Sequence, residues 1–181
     1  EKNLNCIDFI KTPNGCLPLF NGATSIRFNQ IDKYLENFKS TNKKNNLGGL
    51  LKIKHKNHFV IIDVDKPPQK KFSRSYQSGP LSFEYFLDGI KIITNSGFGI
   101  DISKKVELLS RLTACQSTLT INDTSITKFE KNEMINKVFG NSVQNSFKSF
   151  NFHVTNEKNL TGCSASNNGY EKRFGCTHKR E

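Results

Sequence analysis

The 181-residue chain carries 27 basic and 16 acidic residues, for a formal net charge of +11, and 35% of its residues are hydrophobic, including 15 Phe. This apolar content is sufficient for a packed core and excludes a wholly disordered chain. No apolar run reaches the roughly 20 residues that a transmembrane helix needs. The charge favours acidic partners such as an acidic polysaccharide, nucleic acid or an anionic membrane, although solubility and an AT-rich genome explain it equally well.

The chain begins at Glu1 and its single Met, Met134, lies far inside it. We therefore interpret the sequence as a piece of a longer protein. Its five cysteines are odd in number and lack CxxC spacing, which excludes a zinc ribbon and a complete disulfide framework. Cys6 and Cys16 would face each other across a predicted hairpin, but the preferred interpretation is that all five are buried free thiols.

The first 45 residues differ in pattern from the rest. Leu4–Ile10 and Cys16–Phe20 predict a hairpin, because Asn14-Gly15 between them favours a tight turn. The segment FNQIDKYLENFKS, residues 28–40, has apolar residues at helical spacing and is the one clear helix prediction. A Lys- and Asn-rich linker, residues 40–46, follows it.

From Leu47 onward the pattern is typical of short β-strands. Leu50–His55 and His58–Val64 form one predicted hairpin, and Leu81–Leu87 with Ile90–Asn95 form another around Asp88-Gly89. Proline-containing DVDKPPQKK, residues 63–71, separates them.

The remaining segments also predict strands, apart from DISKKVELLSRL, residues 101–112, which fits either a short helix or a loop. STLTIND and TSITKFE (residues 117–130) predict a hairpin around Asn122-Asp123, and alternation predicts a strand at 150–154. NLTGCSAS and KRFGCTHKR flank Asn168-Gly169 as two further strands. The predicted fold is all-β, an antiparallel β-sandwich with an N-terminal hairpin and one short helix.

Nucleic-acid binding has little support in the sequence. The basic residues are scattered, and neither a recognition helix nor an RNP-like aromatic pair is present. The segment NSGFGI, residues 95–100, lacks the Lys and the following helix of a phosphate-binding loop.

Four ordered stretches together resemble one family. They are GGLLKIKHKNHFVIIDVDKPP, SYQSGPLSFEYFLDGIKIITNSG, SRLTACQSTLTINDTS and GYEKRFGCTHKRE. In order and spacing they are similar to the C-terminal β-sandwich of heparinase II/III-like proteins. FIKTPNGCLPLFNGA with the following helix resembles the end of the α/α-toroid that precedes this sandwich. The resemblance implies that residues 1–45 are a remnant of the toroid and a linker, and that residues 46–181 are a truncated C-terminal sandwich.

The resemblance implies a polysaccharide lyase that cleaves uronate-containing chains by β-elimination. This reaction needs a group that neutralises the uronate carboxylate, a base that takes the C5 proton and an acid that protonates the leaving oxygen. Several of these groups come from the toroid, which would be the missing partner domain of the same chain. The resemblance also implies a periplasmic or extracellular location.

The family pattern of the sandwich includes a catalytic His and three zinc ligands, two His and one Asp. In this sequence the catalytic position is Ser75, and the ligand positions are Gln77, Asn95 and Gln116. Uncharged amides are poor ligands for Zn²⁺, so we expect the metal site to be lost and no cofactor to replace it. We expect the three carboxamides to form a buried hydrogen-bonded cluster instead; recognition of a sugar carboxylate or hydroxyl by Gln77 or Gln116 is the alternative.

The other candidate residues lie beside these positions. Tyr76 fits a base or a sugar platform, although a Tyr before a strand more often packs its ring. Arg74 and Arg111 are candidates to bind a uronate carboxylate, against the alternatives of a solvated arginine and an ion pair. Tyr170 and His178 match family positions and are interpreted as structural residues.

The preferred function is that of a lyase fragment, inactive by itself, which acts in the full-length protein on an acidic polysaccharide. The alternative is a catalytically silent carbohydrate-binding or envelope-associated protein that retains the fold.

Overall fold

Two antiparallel sheets form the framework of the protein in the computed structural model, which describes residues 2–25, 35, 45–157 and 161–181. The first sheet has the order β1-β2-β3-β4-β5, and the second has the order β6-β7-β8. The strands are β1 (Asn46–Leu47), β2 (Leu50–His55), β3 (His58–Asp63), β4 (Phe83–Leu87), β5 (Ile90–Ile93), β6 (Ser149–Asn156), β7 (Thr161–Asn167) and β8 (His178–Arg180).

The described helices are short and lie outside the sheets. They are α1 (Lys2–Ile10), α2 (Lys104–Leu109), α3 (Glu133–Phe139) and α4 (Glu171–Phe174), with single 3₁₀ turns at Lys70–Phe72, Gly99–Asp101 and Thr113–Cys115. None of the helices within the described ranges has the length and apolar character that crossing a bilayer requires.

The strand β3 lies at the centre of the core because both of its faces are covered. Phe59 and Ile61 pack with Phe20 and Phe86 on one face. On the other face Ile62 belongs to a cluster that reaches the second sheet through Ala165. Successive side chains of a strand point to opposite faces, so a strand covered on both sides is apolar at adjacent positions. The all-β sandwich prediction is confirmed.

The two central hairpins are also confirmed. His55 pairs with His58 and Leu87 pairs with Ile90, which leaves two-residue turns. Asp88 and Gly89 both have positive φ, 51° and 79°. This is the type I′ geometry that Asp-Gly favours, because its twist matches that of the flanking strands.

The predicted N-terminal hairpin is wrong. Residues Lys2–Ile10 form the helix α1, and the predicted turn at Gly15, φ 74°, joins this helix to an extended segment. A short apolar run does not separate helix from strand by periodicity alone. Packing decides the conformation here: Phe9 is buried and its ring lies 4.6 Å from the Lys52 ammonium on β2.

The predicted strands in residues 117–130 are also wrong. The turn at Asn122-Asp123 forms, with φ 49° at both residues, but only isolated bridges flank it, Ile121 with Thr124 and Phe129 with Val143. The chain then enters α3, where the side chain of Asn132 caps the helix by accepting from the backbone N–H groups of Met134 and Ile135. Met134, Ile135, Val138 and Phe139 do recur at helical spacing, a signal that the sequence-based prediction missed.

The C-terminal predictions hold in part. The strands at 150–154 and in NLTGCSAS correspond to β6 and β7, whereas KRFGCTHKR divides into α4 and β8. Residues 101–112 contain α2, the helical alternative. The helix predicted at 28–40 lies, apart from residue 35, outside the described residues, and the domain division at residue 45 stays a prediction.

The prediction that all five cysteines are buried is wrong, although all five are free thiols. Cys16 is buried, Cys115 and Cys163 are partly exposed, and Cys6 and Cys176 are exposed. Because Cys6 lies on α1 rather than on a strand opposite Cys16, the alternative of a cross-hairpin disulfide has lost its geometric basis.

Candidate functional site

The segment Ser73–Pro80 leads into β4 and is held in place by Arg111. The Arg111 side chain is 1% exposed. Its Nε donates to the carbonyl oxygen of Tyr76 at 2.9 Å, and one terminal nitrogen donates to the carbonyl oxygen of Ser73 at 2.8 Å. The planar guanidinium also lies 4.1 Å from the centre of the Phe129 ring. Arg111 therefore clamps the segment through its backbone.

The hydrogen bonds of Arg111 within the protein are relevant to its predicted contact with a uronate carboxylate. Burial lowers its pKa to about 10, with a smaller opposing effect of Glu107, so the group is still a cation at neutral pH. Because the side chain is enclosed and two of its nitrogens already donate to carbonyls, this geometry does not support a substrate contact. That contact stays a prediction.

Gln77 and Gln116 meet at one backbone carbonyl. The Gln77 side-chain nitrogen donates to the carbonyl oxygen of Ser110 at 3.0 Å and to that of Gly97 at 2.9 Å. The Gln116 side-chain nitrogen donates to the same Ser110 oxygen at 2.7 Å. Both side chains are buried, with 2% and 8% exposed. The two positions are therefore neighbours in space although 39 residues separate them in the chain.

Asn95 lies beside this pair and accepts hydrogen bonds from Ser117, the residue that follows Gln116 in the chain. Its Oδ1 accepts from the backbone N–H of Ser117 at 2.9 Å and from the Ser117 hydroxyl at 3.1 Å. The Asn95 side-chain nitrogen is buried and has no partner in the part of the chain that the structure describes. Among the described residues, the carboxamides of Gln77, Asn95 and Gln116 thus bond to the backbone and to Ser117 rather than to one another. The predicted amide-to-amide network does not form. The side-chain nitrogens of Gln77 and Gln116 donate to nearby backbone carbonyl oxygens instead.

The chemistry of this cluster does not fit a zinc ion. The atoms that converge on Ser110 are N–H donors of Gln77 and Gln116, and an N–H group offers no lone pair to a metal. Nor do the described residues contain a group of three or more His, Cys, Asp or Glu side chains arranged to hold a metal. We therefore assign no chemical step to a metal in this domain.

Ser75 and Tyr76 face a different place, a cavity of about 1020 Å³ that we call the cleft. Its walls come from Asp63, residues 65–70, Phe72, Ser75, Tyr76, Glu130 and residues 143–146, with Phe20, Asn21, Gly48 and Leu50 also in the lining. The predicted site is therefore divided. Ser75 and Tyr76 line the cleft, whereas the carboxamides and Arg111 lie outside its lining.

The remaining predicted residue, Arg74, is exposed and also lies outside the cleft lining. Its side chain passes Gly140, where an added Cβ would come within 2.9 Å of the Arg74 Cγ. Gly140 has φ 66°, so this close approach coincides with a backbone conformation that favours glycine. Uronate binding by Arg74 stays a prediction.

Tyr76 has a buried ring, and its buried hydroxyl has no hydrogen-bond partner among the described residues. The ring packs with Ile126, Val143, Phe147 and Tyr170, so neither face is open to a sugar. Burial raises the pKa of Tyr76 well above its usual value, and the charges of Asp63 and Asp65 raise it further. The hydroxyl consequently stays protonated and is suited to donating a hydrogen bond; these conditions disfavour a tyrosinate base.

Sequence reasoning missed Asp63, which lies at the end of β3 where the cleft begins. Its Oδ2 accepts from the Asn21 side-chain nitrogen at 3.0 Å, and its Oδ1 accepts from the backbone N–H of Asp65 at 3.2 Å. Asn21 in turn accepts from the backbone N–H of Gln77 at 3.3 Å. Asp63 thus connects β3 to the Ser75 segment through Asn21. The sequence signal that could have identified this site is the pair Asp63 and Asp65 at the end of a predicted strand, shortly before Pro67-Pro68.

The environment of Asp63 changes its acidity. Burial is the largest effect and raises the pKa of Asp63 to about 7, although the hydrogen bonds from Asn21 and Asp65 act in the opposite direction. A carboxyl group with this pKa is present in both protonation states near neutral pH. Such groups occur at functional sites and also in structural networks.

Two further charged groups of the cleft lining, Glu130 and Lys70, form an ion pair. Backbone N–H of Asn132 is the main cause that lowers the pKa of Glu130 to about 2, and hydrogen bonds from Gln144 and Lys70 contribute. The Lys70 ammonium lies 3.2 Å from Glu130 Oε2. At the rim, the Phe72 ring is 68% exposed.

A family model and several solved structures match this chain. The model described as heparinase II/III-like, C-terminal, matches residues 40–181. A mutant of the heparan sulfate lyase HepC from Pedobacter heparinus shares the fold with a TM-score of 0.64 and 17% identity, over 97% of this chain and 28% of that one. A heparinase III structure, the BT4657 gene product with methylated lysines, has a TM-score of 0.66 and 13% identity, over 94% and 27%.

A third structure, of heparinase III, has a TM-score of 0.55 and 16% identity over 92% of this chain and 32% of that one. No curated protein matches the sequence. At these identities the structural matches establish the fold, and the chain spans 28% of the HepC length. The family match extends over most of the chain, and the chain therefore belongs to the heparinase II/III-like family, whose C-terminal domain it represents.

Proposed function

We propose that this domain forms one wall of the substrate cleft of a polysaccharide lyase that acts on a uronate-containing polymer by β-elimination. The observation that supports the proposal is the position of Ser75 and Tyr76. They occupy the segment where the family resemblance expects the catalytic histidine, and they line a cavity of about 1020 Å³. The size of this cavity suits one or two sugar residues.

The residues of this chain have defined parts in the proposal. Ser75 is partly exposed in the cleft, whereas the protonated Tyr76 hydroxyl is buried and supports the cleft wall from behind. The Ser75 hydroxyl suits hydrogen bonding to a sugar oxygen, and Phe72 offers an exposed ring at the rim for the apolar face of a pyranose. Arg111 and Gln77 act as positioning residues, because they hold the backbone of the segment that carries Ser75 and Tyr76.

In the proposal, the acid and base of the elimination come from outside the C-terminal sandwich. Within the described residues Ser75 makes no hydrogen bond to a side-chain base, and burial raises the pKa of Tyr76. The removal of the C5 proton and the neutralisation of the uronate carboxylate are therefore assigned to the helical domain that precedes the sandwich in this family.

A catalytically silent carbohydrate-binding protein is the second candidate. It is favoured by the residues at the family's catalytic and zinc positions, which are Ser75, Gln77, Asn95 and Gln116 in this chain. Such a protein would retain the cleft and bind the polymer without cleaving it.

One experiment separates the two functions. The full-length protein is incubated with heparin, heparan sulfate and alginate, and the ultraviolet absorbance of the unsaturated product is followed while binding is measured by calorimetry. The lyase proposal expects product from at least one polymer. Binding without product from any of them supports the silent protein and contradicts the lyase.

A further inference from the structure

A second pocket adjoins the cleft. It has a volume of about 480 Å³, and its lining includes Lys128, Tyr170 and residues 171–173. Gln144, Asn145 and Ser146 line both this pocket and the cleft. We call these three residues the ridge. Because the ridge lines both spaces, a linear polymer in the cleft would have to cross only this short segment to reach the second pocket.

The balance of charge reverses across the ridge. The cleft has three carboxylates in its lining, those of Asp63, Asp65 and Glu130, and two lysines, Lys66 and Lys70. The cleft lining therefore has more formal negative charges than positive ones, although the whole chain has a formal net charge of +11.

The second pocket has three cations, Lys128, Lys172 and Arg173, and a single carboxylate, that of Glu171. All three cationic side chains are exposed, and none of them forms an ion pair with a residue in the described ranges. Their charges are consequently available to a ligand. Since like charges close together raise the local potential, three cations around one pocket attract an anionic group more strongly than scattered lysines do.

The walls of the second pocket are fixed by hydrogen bonds. Asn145 in the ridge accepts from the backbone N–H of Lys128 at 2.6 Å and donates to the carbonyl oxygen of Ile126 at 2.9 Å. The hydroxyl of Tyr170, whose side chain is 1% exposed, donates towards the carbonyl oxygens of Leu119 and Thr124 at 3.1 and 3.0 Å. A pocket with fixed walls loses little conformational freedom when a ligand binds.

We propose that the second pocket is an anion-binding subsite, in which Lys128, Lys172 and Arg173 hold the carboxylate or sulfate group of a sugar adjacent to the sugar in the cleft. The subsite rests on the proposed function of the cleft as a polysaccharide site. Sulfate and carboxylate share the chemistry that the three cations recognise, and the ligands of the test distinguish them.

The test compares two double variants of the full-length protein. Lys172→Ala/Arg173→Ala removes two charges from the subsite. Lys104→Ala/Lys105→Ala removes two charges from the exposed start of α2, whose residues line neither the cleft nor the second pocket. Affinity is measured by calorimetry at several salt concentrations, for a sulfated heparin hexasaccharide and for a sulfate-free alginate hexasaccharide.

The subsite predicts that the first double variant weakens binding of at least one hexasaccharide about tenfold, which corresponds to about 1.4 kcal/mol. The salt dependence also becomes shallower, since fewer counterions are released. The control variant stays within about twofold of the wild type, because it changes the net charge equally but leaves the subsite intact. Loss with the sulfated ligand alone identifies a sulfate site, and loss with both identifies an anion site that accepts carboxylate.

A further variant, outside α4, shows whether lost binding comes from the lost charges or from a folding defect in that helix. Lys128→Ala changes a different segment and is expected to weaken binding about threefold. Equal losses in the subsite and control variants overturn the proposal, as does a wild-type protein that binds neither hexasaccharide. Binding without cleavage overturns the lyase proposal and leaves the subsite standing. Normal cleavage, with wild-type affinity in all subsite variants, leaves the lyase standing and overturns the subsite.

Discussion

Gln77 and Gln116 donate from their side-chain nitrogens to the same backbone oxygen, that of Ser110, at 3.0 and 2.7 Å. Two amides on one carbonyl connect the segment before β4 with the segment after the 3₁₀ turn Thr113–Cys115. Because these bonds are buried, breaking one lowers the stability of the fold: a polar group that loses its partner inside the protein does not regain one from water.

Replacing Gln77 tests how much its buried hydrogen bonds contribute to the free energy of unfolding. Gln77→Ala leaves the carbonyl of Gly97 and the N–H of Gly22 without their side-chain partner. We expect the free energy of unfolding to fall by about 2–3 kcal/mol, measured by urea denaturation. Gln69→Ala is the matched control, because Gln69 is exposed and makes no side-chain cap; its expected change is within about 0.5 kcal/mol. Equal stability of Gln77→Ala and the wild type contradicts the proposed role.

Replacing Arg111 tests the clamp on the Ser73–Pro80 segment. Arg111→Met keeps an unbranched side chain but leaves the carbonyls of Ser73 and Tyr76 without their donors. We expect a loss of about 3 kcal/mol in the free energy of unfolding. Arg111→Lys recovers only part of it, since an ammonium lacks the planar fork that reaches both oxygens. The exposed Arg74→Met is the control, and a loss as large as that of Arg111→Met would show that the clamp is not responsible.

The raised pKa of Asp63 predicts a specific pH dependence of stability. The folded chain holds a proton on Asp63 up to a pKa of about 7, against 3.8 for the ordinary carboxyl group. Between these values the folded state binds more protons than the unfolded state. Stability from this group is therefore complete below pH 3.8 and declines as the pH rises through about 7. The slope approaches about 1.4 kcal/mol per pH unit, and the total is about 4 kcal/mol.

The measurement is the difference in unfolding free energy between the wild type and Asp63→Asn from pH 5 to pH 8. The difference is needed because burial lowers the pKa of His178, which acts with the opposite sign by reducing stability as the pH falls. We expect the wild type to lose stability relative to Asp63→Asn as the pH rises. A difference that stays constant across this range would mean that Asp63 titrates normally.

The carboxamide positions also predict the metal content of the protein. Because Gln77, Asn95 and Gln116 offer amides, the purified full-length protein should contain substoichiometric zinc by elemental analysis. The triple variant Gln77→His/Asn95→Asp/Gln116→His should bind about one zinc ion and show a melting temperature that rises with added zinc. The same variant with Asn95→Leu in place of Asn95→Asp is the control. Stoichiometric zinc in the wild type would show that the ligand positions are misassigned.

Sequence patterns predicted those elements in which local signals and tertiary packing agree. The hairpin at Asp88-Gly89 formed as predicted, because the turn residues and the alternation of β4 favour the same geometry. The region 117–130 was mispredicted, because a correct turn signal at Asn122-Asp123 says nothing about whether partner strands are available. The helix α1 was mispredicted because the spacing of its apolar residues, which are Leu4, Cys6, Ile7, Phe9 and Ile10, fits both periods.

The amino-acid sequence by itself determined the family, the antiparallel β framework and the amide identity of residues 77, 95 and 116, because these depend on residue type and order along the chain. Only the tertiary structure decided which residues face the cleft. Ser75 and Gln77 are two positions apart, yet one lines the cavity and the other is enclosed behind it. The partners of Asp63, Arg111 and the carboxamides are backbone groups and the side chains of Asn21 and Ser117, which folding brings together. No local pattern encodes contacts that form only when distant segments pack.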